Sequence, residues 1–356
     1  MKQLDLMAAD PETAAVRTVV SDRRDTFIEG LRFSMIPDSF YFSLGDGERF
    51  VWRSERDGWS HFYLYRFDGS LVRQLTRGEY PVNQVVAHDP DGGWIYFMAQ
   101  AETDHPYDRH LYRVDLRGER LSRLTEGSGT HSVSISPSFA GFVDNHSAYD
   151  RPPRAELRRM DGANPVVLAE ADISALREIG WRLPEEFVVK AADGVTDVYG
   201  LMYKPHDFDP SRTYPLIEII YAGSQAAAVP RRFVPGESGH LAQALAQLNF
   251  VTVVLDARGT PGRSKSFQDV VYRAIGRNEI PDHVAALRQL GERHAYLDLE
   301  RVGVHGKSWG GYFALRAMLQ APEFYRVGVA SALVADLATT AYSPIVPYMG
   351  LPEENP

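Results

Sequence analysis

The chain has 356 residues, a formal net charge of -9 and no cysteine. Its length exceeds one usual single-core domain, so two domains are expected, and an acidic balance without a long basic run argues against a nucleic-acid partner. The missing cysteine excludes disulfides, thiol catalysis and cysteine-ligated metals, and no stretch approaches the roughly 20 apolar residues that span a bilayer.

The start, Met-Lys-Gln-Leu-Asp-Leu, is broken by an acid before a signal-peptide core could form, and the compartment is left open. Leu4-Asp5-Leu6-Met7 and Val16-Arg17-Thr18-Val19-Val20 flank a turn at Asp10-Pro11-Glu12-Thr13, as in the closing hairpin of a blade. The pattern then repeats. Leu64-Tyr65-Arg66-Phe67-Asp68-Gly69 with Leu75-Thr76-Arg77-Gly78 is matched by Leu111-Tyr112-Arg113-Val114-Asp115 with Leu124-Thr125-Glu126-Gly127, and more faintly by Leu157-Arg158-Arg159-Met160-Asp161-Gly162. Aromatic strands precede the first two units, at Phe50-Val51-Trp52 and Trp94-Ile95-Tyr96-Phe97. Short strands at a period of roughly 45 residues predict β-propeller blades over residues 1–183, with a sandwich of unrelated hairpins as the alternative. About three and a half blades are visible where roughly 4 to 8 close a ring, so further blades are expected before residue 1. The arginines between 151 and 159 are expected on a solvated hairpin face.

The blade pattern stops near Leu183-Pro184-Glu185-Glu186. From there to 356 the order becomes strand, helix, strand, helix, with apolar runs at 216–221, 250–255 and 327–333 and helices at 241–248 and 283–293, the last opened by Pro281. Such alternation predicts a mainly parallel sheet covered on both faces. In that sheet the segment Arg301-Val302-Gly303-Val304-His305-Gly306-Lys307-Ser308-Trp309-Gly310-Gly311-Tyr312 reads as strand, Gly-x-Ser-x-Gly turn and buried helix, with apolar Trp309, Tyr312, Phe313, Leu315 and Leu319. A nucleophile elbow on a parallel sheet predicts an α/β-hydrolase with Ser308 as nucleophile. An attacking serine creates an oxyanion, and the backbone N–H of Trp309 is the expected first donor to it. The second is expected from the loop Tyr221-Ala222-Gly223-Ser224-Gln225.

Three motifs stand in register: Tyr221-Ala222-Gly223 after one strand, Asp256-x-Arg258-Gly259-Thr260 after the next, and the Ser308 elbow ending in Gly310-Gly311-Tyr312. With Ser54-Glu55-Arg56-Asp57-Gly58-Trp59 and Tyr348-Met349-Gly350-Leu351-Pro352, they make a chain that resembles the prolyl oligopeptidase family of serine peptidases, most closely its dipeptidyl peptidase IV branch. The resemblance covers nearly the whole chain. It implies a propeller with an α/β-hydrolase domain, a nucleophile at Ser308, the Tyr221 hydroxyl as second oxyanion donor, peptide substrates and no cofactor or metal, and it allows a homodimer.

Two departures accompany it. No histidine follows His305, and Glu323, Asp336, Glu353 and Glu354 are the acids after Ser308, all earlier than the family's triad acid, so the triad acid and histidine are expected beyond residue 356 and the chain alone is expected to be inactive. The aromatic residues of the family's proline pocket fall on Leu337, Thr340 and Pro344, so proline preference carries over weakly. Its amine-binding glutamates fall in blades absent from this sequence. The reading is a serine peptidase releasing N-terminal dipeptides or similar; a non-catalytic scaffold for protein binding and a small-substrate esterase are the alternatives.

Overall fold

The computed structural model describes residues 2–29, 40–161, 165–233, 238–337, 342–351 and 353–355. Two compact units emerge. One comprises residues 1–147, 153–170 and 262–266, the other 148–152, 171–261 and 267–356.

The first unit opens with an antiparallel pair, β1 (Gln3–Ala9) and β2 (Val16–Arg23). Three four-stranded antiparallel sheets follow. The first is β3 (Tyr41–Ser43), β4 (Arg49–Ser54), β5 (His61–Arg66) and β6 (Leu71–Gln74). The second is β7 (Val82–Asp89), β8 (Trp94–Ala99), β9 (His110–Asp115) and β10 (Leu121–Arg123). The third is β11 (Thr130–Ile135), β12 (Gly141–Ala148), β13 (Arg151–Arg159) and β14 (Val166–Glu170). Each sheet takes its strands in sequence order, the arrangement of propeller blades. The repeated Leu-Tyr-Arg stretches are the inner members of these sheets, and their apolar faces join neighbouring blades. Val51, Phe62 and Leu64 meet Ile95, Phe97 and Val114 in one cluster. Tyr96, Met98 and Leu111 meet Phe142 and Met160 in the next.

A second repeated device closes the third strand of the first two blades. His61 Nε2 lies 2.9 Å from the Gly78 carbonyl, which can only accept, so its Nδ1 accepts from the Thr76 hydroxyl at 3.0 Å. Thr76 Oγ1 in turn accepts the Phe62 N–H at 3.0 Å. His110, Thr125 and Leu111 repeat the histidine–threonine part of this circuit, at 3.0 and 3.1 Å.

The expected solvated face at 151–159 is corrected at one arginine: Arg159 is exposed and Arg151 and Arg154 are half-exposed. Arg158 is buried with Glu156, because alternate residues of the inner strand β13 face inward, and their opposite charges satisfy each other at 2.7 Å.

In the second unit the short helix α1 (Ser174–Glu178) precedes β15 (Glu185–Lys190), β16 (Asp197–Tyr203) and β17 (Tyr214–Ile219). Then come α2 (Ser238–Ala246), β18 (Val251–Asp256), α3 (Lys265–Asp269), of which Lys265 and Ser266 are counted with the first unit, α4 (Glu279–Arg293), β19 (Leu297–Lys307), α5 (Trp309–Gln320), β20 (Tyr325–Ser331) and α6 (Tyr342–Met349). The sheet order is β15-β16-β18-β17-β19-β20. β18, β17, β19 and β20 run parallel, and β15 and β16 add antiparallel pairings at one edge. Completely buried β18 and the alternating β17 supply the apolar centre, as expected for a sheet packed on both faces. Helix α5 buries Trp309 to Ala314 and Ala317, but Leu315 is 39 % and Leu319 72 % exposed. Apolar spacing alone predicts both on the buried face. The fold is an all-β set of propeller blades followed by an α/β-hydrolase sheet.

Candidate active site

β19 delivers the chain to Ser308 and α5 takes it away. Ser308 adopts φ 58° and ψ -119°, a left-handed conformation that a non-glycine residue holds only at a cost of order 1–3 kcal/mol. The flanking glycines explain how the turn closes. A Cβ on Gly306 would stand 1.9 Å from the Gly310 carbonyl oxygen, and one on Gly310 would stand 2.3 Å from the Ile220 oxygen. The serine's backbone is fixed on two sides: its N–H donates to the Ser331 carbonyl at 2.9 Å, and its carbonyl accepts the first helical bond from Tyr312 at 3.2 Å. Although Ser308 is the residue before α5, its hydroxyl makes no capping bond to the helix, and the residue is exposed.

The loop after β17 packs on the same turn. Ile220 N–H donates to the His305 carbonyl at 2.9 Å, carrying the chain to Tyr221, whose ring comes within 3.2 Å of where a Gly310 Cβ would be. Two residues on, Gly223 has φ +85°, and a Cβ there would meet Trp309 Nε1 at 3.1 Å and Phe313 at 3.2 Å. Tyr221 and Trp309 are thus both brought to the Ser308 turn. Burial raises the Tyr221 pKa, so the phenol stays protonated and able to donate at neutral pH. Trp309 is buried and opens α5, where backbone N–H groups lack helical acceptors.

Around this turn the carboxyl ends of the strands are held by buried charges. Asp256, at the end of β18, accepts from Ala228 N–H at 2.6 Å, Val229 N–H at 3.3 Å and Arg231 Nη2 at 2.9 Å. Arg258 grips Asp282 of α4 with two bonds of 2.8 and 2.7 Å and reaches Asp193 at 2.9 Å. Asp282 also accepts the Ala192 N–H at 3.0 Å. Burial works against a charged Asp193, but Thr196, the Val195 N–H and Arg258 outweigh it and bring its pKa to about 2.

A further set went unread in the sequence. Glu218 on β17 is fully buried, with one oxygen on His283 Nδ1 of α4 and the other accepting from the Tyr325 hydroxyl of β20 at 2.7 Å. The available signal was a single acid in the apolar run Leu216-Ile217-Glu218-Ile219-Ile220, where a buried parallel strand should carry none.

Of the remaining expected positions, Leu337 is half-buried and Asp336 exposed, while Thr340 and the side chain of Pro344 lie outside the described residues. Among the described residues one group could offer metal ligands: Asp144, His146 and Glu156, with ligand atoms within 4.8 Å of one another. Glu156 already faces Arg158 at 2.7 Å and Arg154 at 2.8 Å, and Asp144 holds His131 at 2.8 Å with Arg158 at 3.7 Å. That charge is met by guanidinium groups, which makes it an ion-pair network of the blade.

Blades followed by a parallel sheet with a strained Gly-x-Ser-x-Gly turn define the propeller-bearing class of α/β-hydrolase folds. Comparison with known proteins narrows it. Residues 1–153 match the dipeptidyl peptidase IV (DPP IV) N-terminal region, and residues 237–356 match the prolyl oligopeptidase family. Human dipeptidyl peptidase 8 is 33% identical over 271 residues, which is 73% of this chain and 30% of that protein. A probable dipeptidyl peptidase 4 of Emericella nidulans is 26% identical over 91% of this chain and 43% of its own length. Among solved structures, Porphyromonas gingivalis dipeptidyl peptidase 4 superposes with a TM-score of 0.85 at 26% identity, covering 99% of this chain and 48% of that one. A putative dipeptidyl aminopeptidase IV from Bacteroides ovatus gives 0.87 at 26% identity, covering 100% and 52%. The chain belongs to the prolyl oligopeptidase family, on its dipeptidyl peptidase IV-like side, and spans about a third to a half of the length of these relatives.

Proposed function

We propose that this chain is part of a serine peptidase that releases N-terminal dipeptides or similar fragments through an acyl-enzyme at Ser308. In this reading residues 1–183 form the propeller portion and 184–356 the catalytic portion. The carrying observation is the Ser308 turn, strained at φ 58° with its hydroxyl uncommitted to capping α5. A turn of this cost has a physical purpose if it lifts the hydroxyl to the edge of the sheet for attack. Peptide carbonyl attack would place negative charge where the Tyr221 hydroxyl and the Trp309 N–H can donate, and then expel the amine. The relatives' names, dipeptidyl peptidase and dipeptidyl-aminopeptidase, support peptide substrates.

Proton removal from Ser308 requires a base near its working pH, usually histidine. None lies between Ser308 and Pro356, and His283 is bound to Glu218. A polypeptide of residues 1–356 alone is therefore expected to be inactive.

The test is product analysis by mass spectrometry, with the protein made from its complete reading frame and offered a mixture of unblocked peptides. Dipeptides from the N-terminus are expected, and Tyr221→Phe should lower kcat by roughly 100-fold, the usual effect of removing one oxyanion donor. Hydrolysis confined to small esters, or no turnover at all, would overturn the reading.

A further inference from the structure

The centre of the hydrolase sheet holds a carboxylate that the proposed chemistry does not use. Glu218, His283 and Tyr325 are each at most 1 % exposed. A buried ion pair is weak ground for stability, since well-packed apolar residues of similar volume are often as good or better. The position of this one gives it another use.

Glu218 lies on the strand that leads, three residues later, to Tyr221. Its neighbour across the sheet is Val304, four residues before Ser308 on β19. Through the Tyr325 hydroxyl it is tied to β20, the strand whose last residue, Ser331, accepts the Ser308 N–H. Through His283 it is tied to α4, whose first turn is locked to α5. Glu279, one turn before His283, accepts the Gly276 and Asn278 N–H groups at 2.9 and 3.2 Å. The Gly276 carbonyl accepts from Arg316 Nη2 at 3.3 Å and Gln320 Nε2 at 2.9 Å, both on α5. Gly276 has φ +87°, where a side chain is strained, and a Cβ there would stand 2.2 Å from Arg316 Nε, so the arginine would have to move from the Gly276 carbonyl. Arg316 also donates to the Tyr312 hydroxyl at 3.0 Å, one turn after Ser308.

We propose that Glu218 is a positioning residue: by bonding β17 to both β20 and α4 it holds together the elements that set Tyr221, the Ser308 backbone and the start of α5. The inference rests on Ser308 being the nucleophile. It adds that the geometry of the turn is fixed from below, by one carboxylate in the sheet. Gln can keep both bonds, its carbonyl accepting from Tyr325 and its amide donating to a neutral His283. Leu can keep neither.

The experiment uses the protein from its complete reading frame, with active sites titrated by a fluorophosphonate so that rates refer to folded, competent molecules. On a chromogenic dipeptide substrate, Glu218→Leu should lower kcat per titrated site by about tenfold with little change in KM, since small misplacements of reacting groups cost rate steeply. Glu218→Gln should restore most of that loss. Tyr325→Phe, which removes one hydroxyl, should lower kcat per site by about threefold and decides the matter if the Leu variant does not fold. Unchanged kcat per site in the variants that fold, or an effect on KM alone, would overturn the proposal while leaving Ser308 in place. Failure of the unmodified protein to react with the fluorophosphonate would overturn the nucleophile assignment and this inference together.

Discussion

In the blades, His61 and His110 stand 49 positions apart in sequence, each with Nδ1 3.0 Å from a threonine that lies 15 residues further on. In the hydrolase sheet, His283 is bound to a carboxylate 65 positions away, and that carboxylate to a tyrosine 107 positions away. Both arrangements bury an imidazole. The first is local and duplicated, each blade joining its own histidine to its own threonine, as expected of a repeat architecture. The second joins distant segments once, with no spare. Loss of a polar contact should therefore stay within one blade in the first unit, whereas in the second it should be felt across the sheet and at the Ser308 turn.

The sharpest break is steric. Gly306→Ala forces a Cβ to within 1.9 Å of the Gly310 oxygen and should destabilise the hydrolase unit by about 3 kcal/mol or more, with loss of Ser308 reactivity. Gly303→Ala, on the same strand, meets nothing closer than 3.6 Å and should have little effect. Urea unfolding of the two variants checks the pair; equal effects would mean that the close approach at the turn is not what glycine serves there.

Next in size is Asp282→Asn, which weakens both bonds to the half-buried Arg258 and leaves its guanidinium leaning on Asp193. About 3 kcal/mol is expected, because Asp282 is fully buried and its carboxylate serves three hydrogen bonds, two from Arg258 and one from the Ala192 N–H. Hydrogen exchange should show faster opening of the segments around Ala192 and Arg258 together. Opening confined to α4 would contradict the single-network view.

The blade counterpart is smaller. Thr76→Val and Thr125→Val each orphan a histidine nitrogen and a backbone N–H, at about 1–3 kcal/mol apiece. Their effects should add to within about 0.5 kcal/mol, since they sit in separate blades. A strong departure from additivity would show that the blades do not act as independent repeats.

Smallest in size is a difference in pH dependence. Burial works against a charged His283, but Glu218, with Asp282 and Glu279, outweighs it and raises the pKa. The folded form then holds a proton that the unfolded chain releases near 6.5, so this stability is present below about pH 6.5 and is lost as pH rises through the folded pKa. His110 has the opposite sign. Burial, with His131 beside it, pushes its pKa down to about 3, so its contribution is present above about pH 6.5 and is lost as pH falls toward 3. Exchange rates followed by unit should accelerate in alkali for β17 and α4 and in acid for β9, and His283→Gln and His110→Gln should flatten the respective slopes.

Much of this was legible in the sequence because its signals are periodic. The Leu-Tyr-Arg and Leu-Thr repeats marked the blade hairpins, and the switch to long apolar runs past 184 marked the sheet. The Ser308 turn was legible because a Gly-x-Ser-x-Gly pattern has a steric meaning that the close Gly306 to Gly310 approach bears out. Pairings between distant residues were not legible. Arg158 reads as surface until Glu156 and Asp144 are seen beside it, and Glu218 has no partner in the sequence until β20 and α4 are folded against β17. Leu319 shows the reverse limit, since helical spacing cannot tell which apolar face the rest of the fold leaves open.

The nucleophile assignment is tested most directly by intact-mass and peptide-level mass spectrometry of the protein from its complete reading frame after exposure to a fluorophosphonate. One adduct on Ser308 is expected, absent in Ser308→Ala and much slower to form in Tyr221→Phe. An adduct on another serine, or none on Ser308 in a folded sample, would contradict the assignment of Ser308 as the nucleophile.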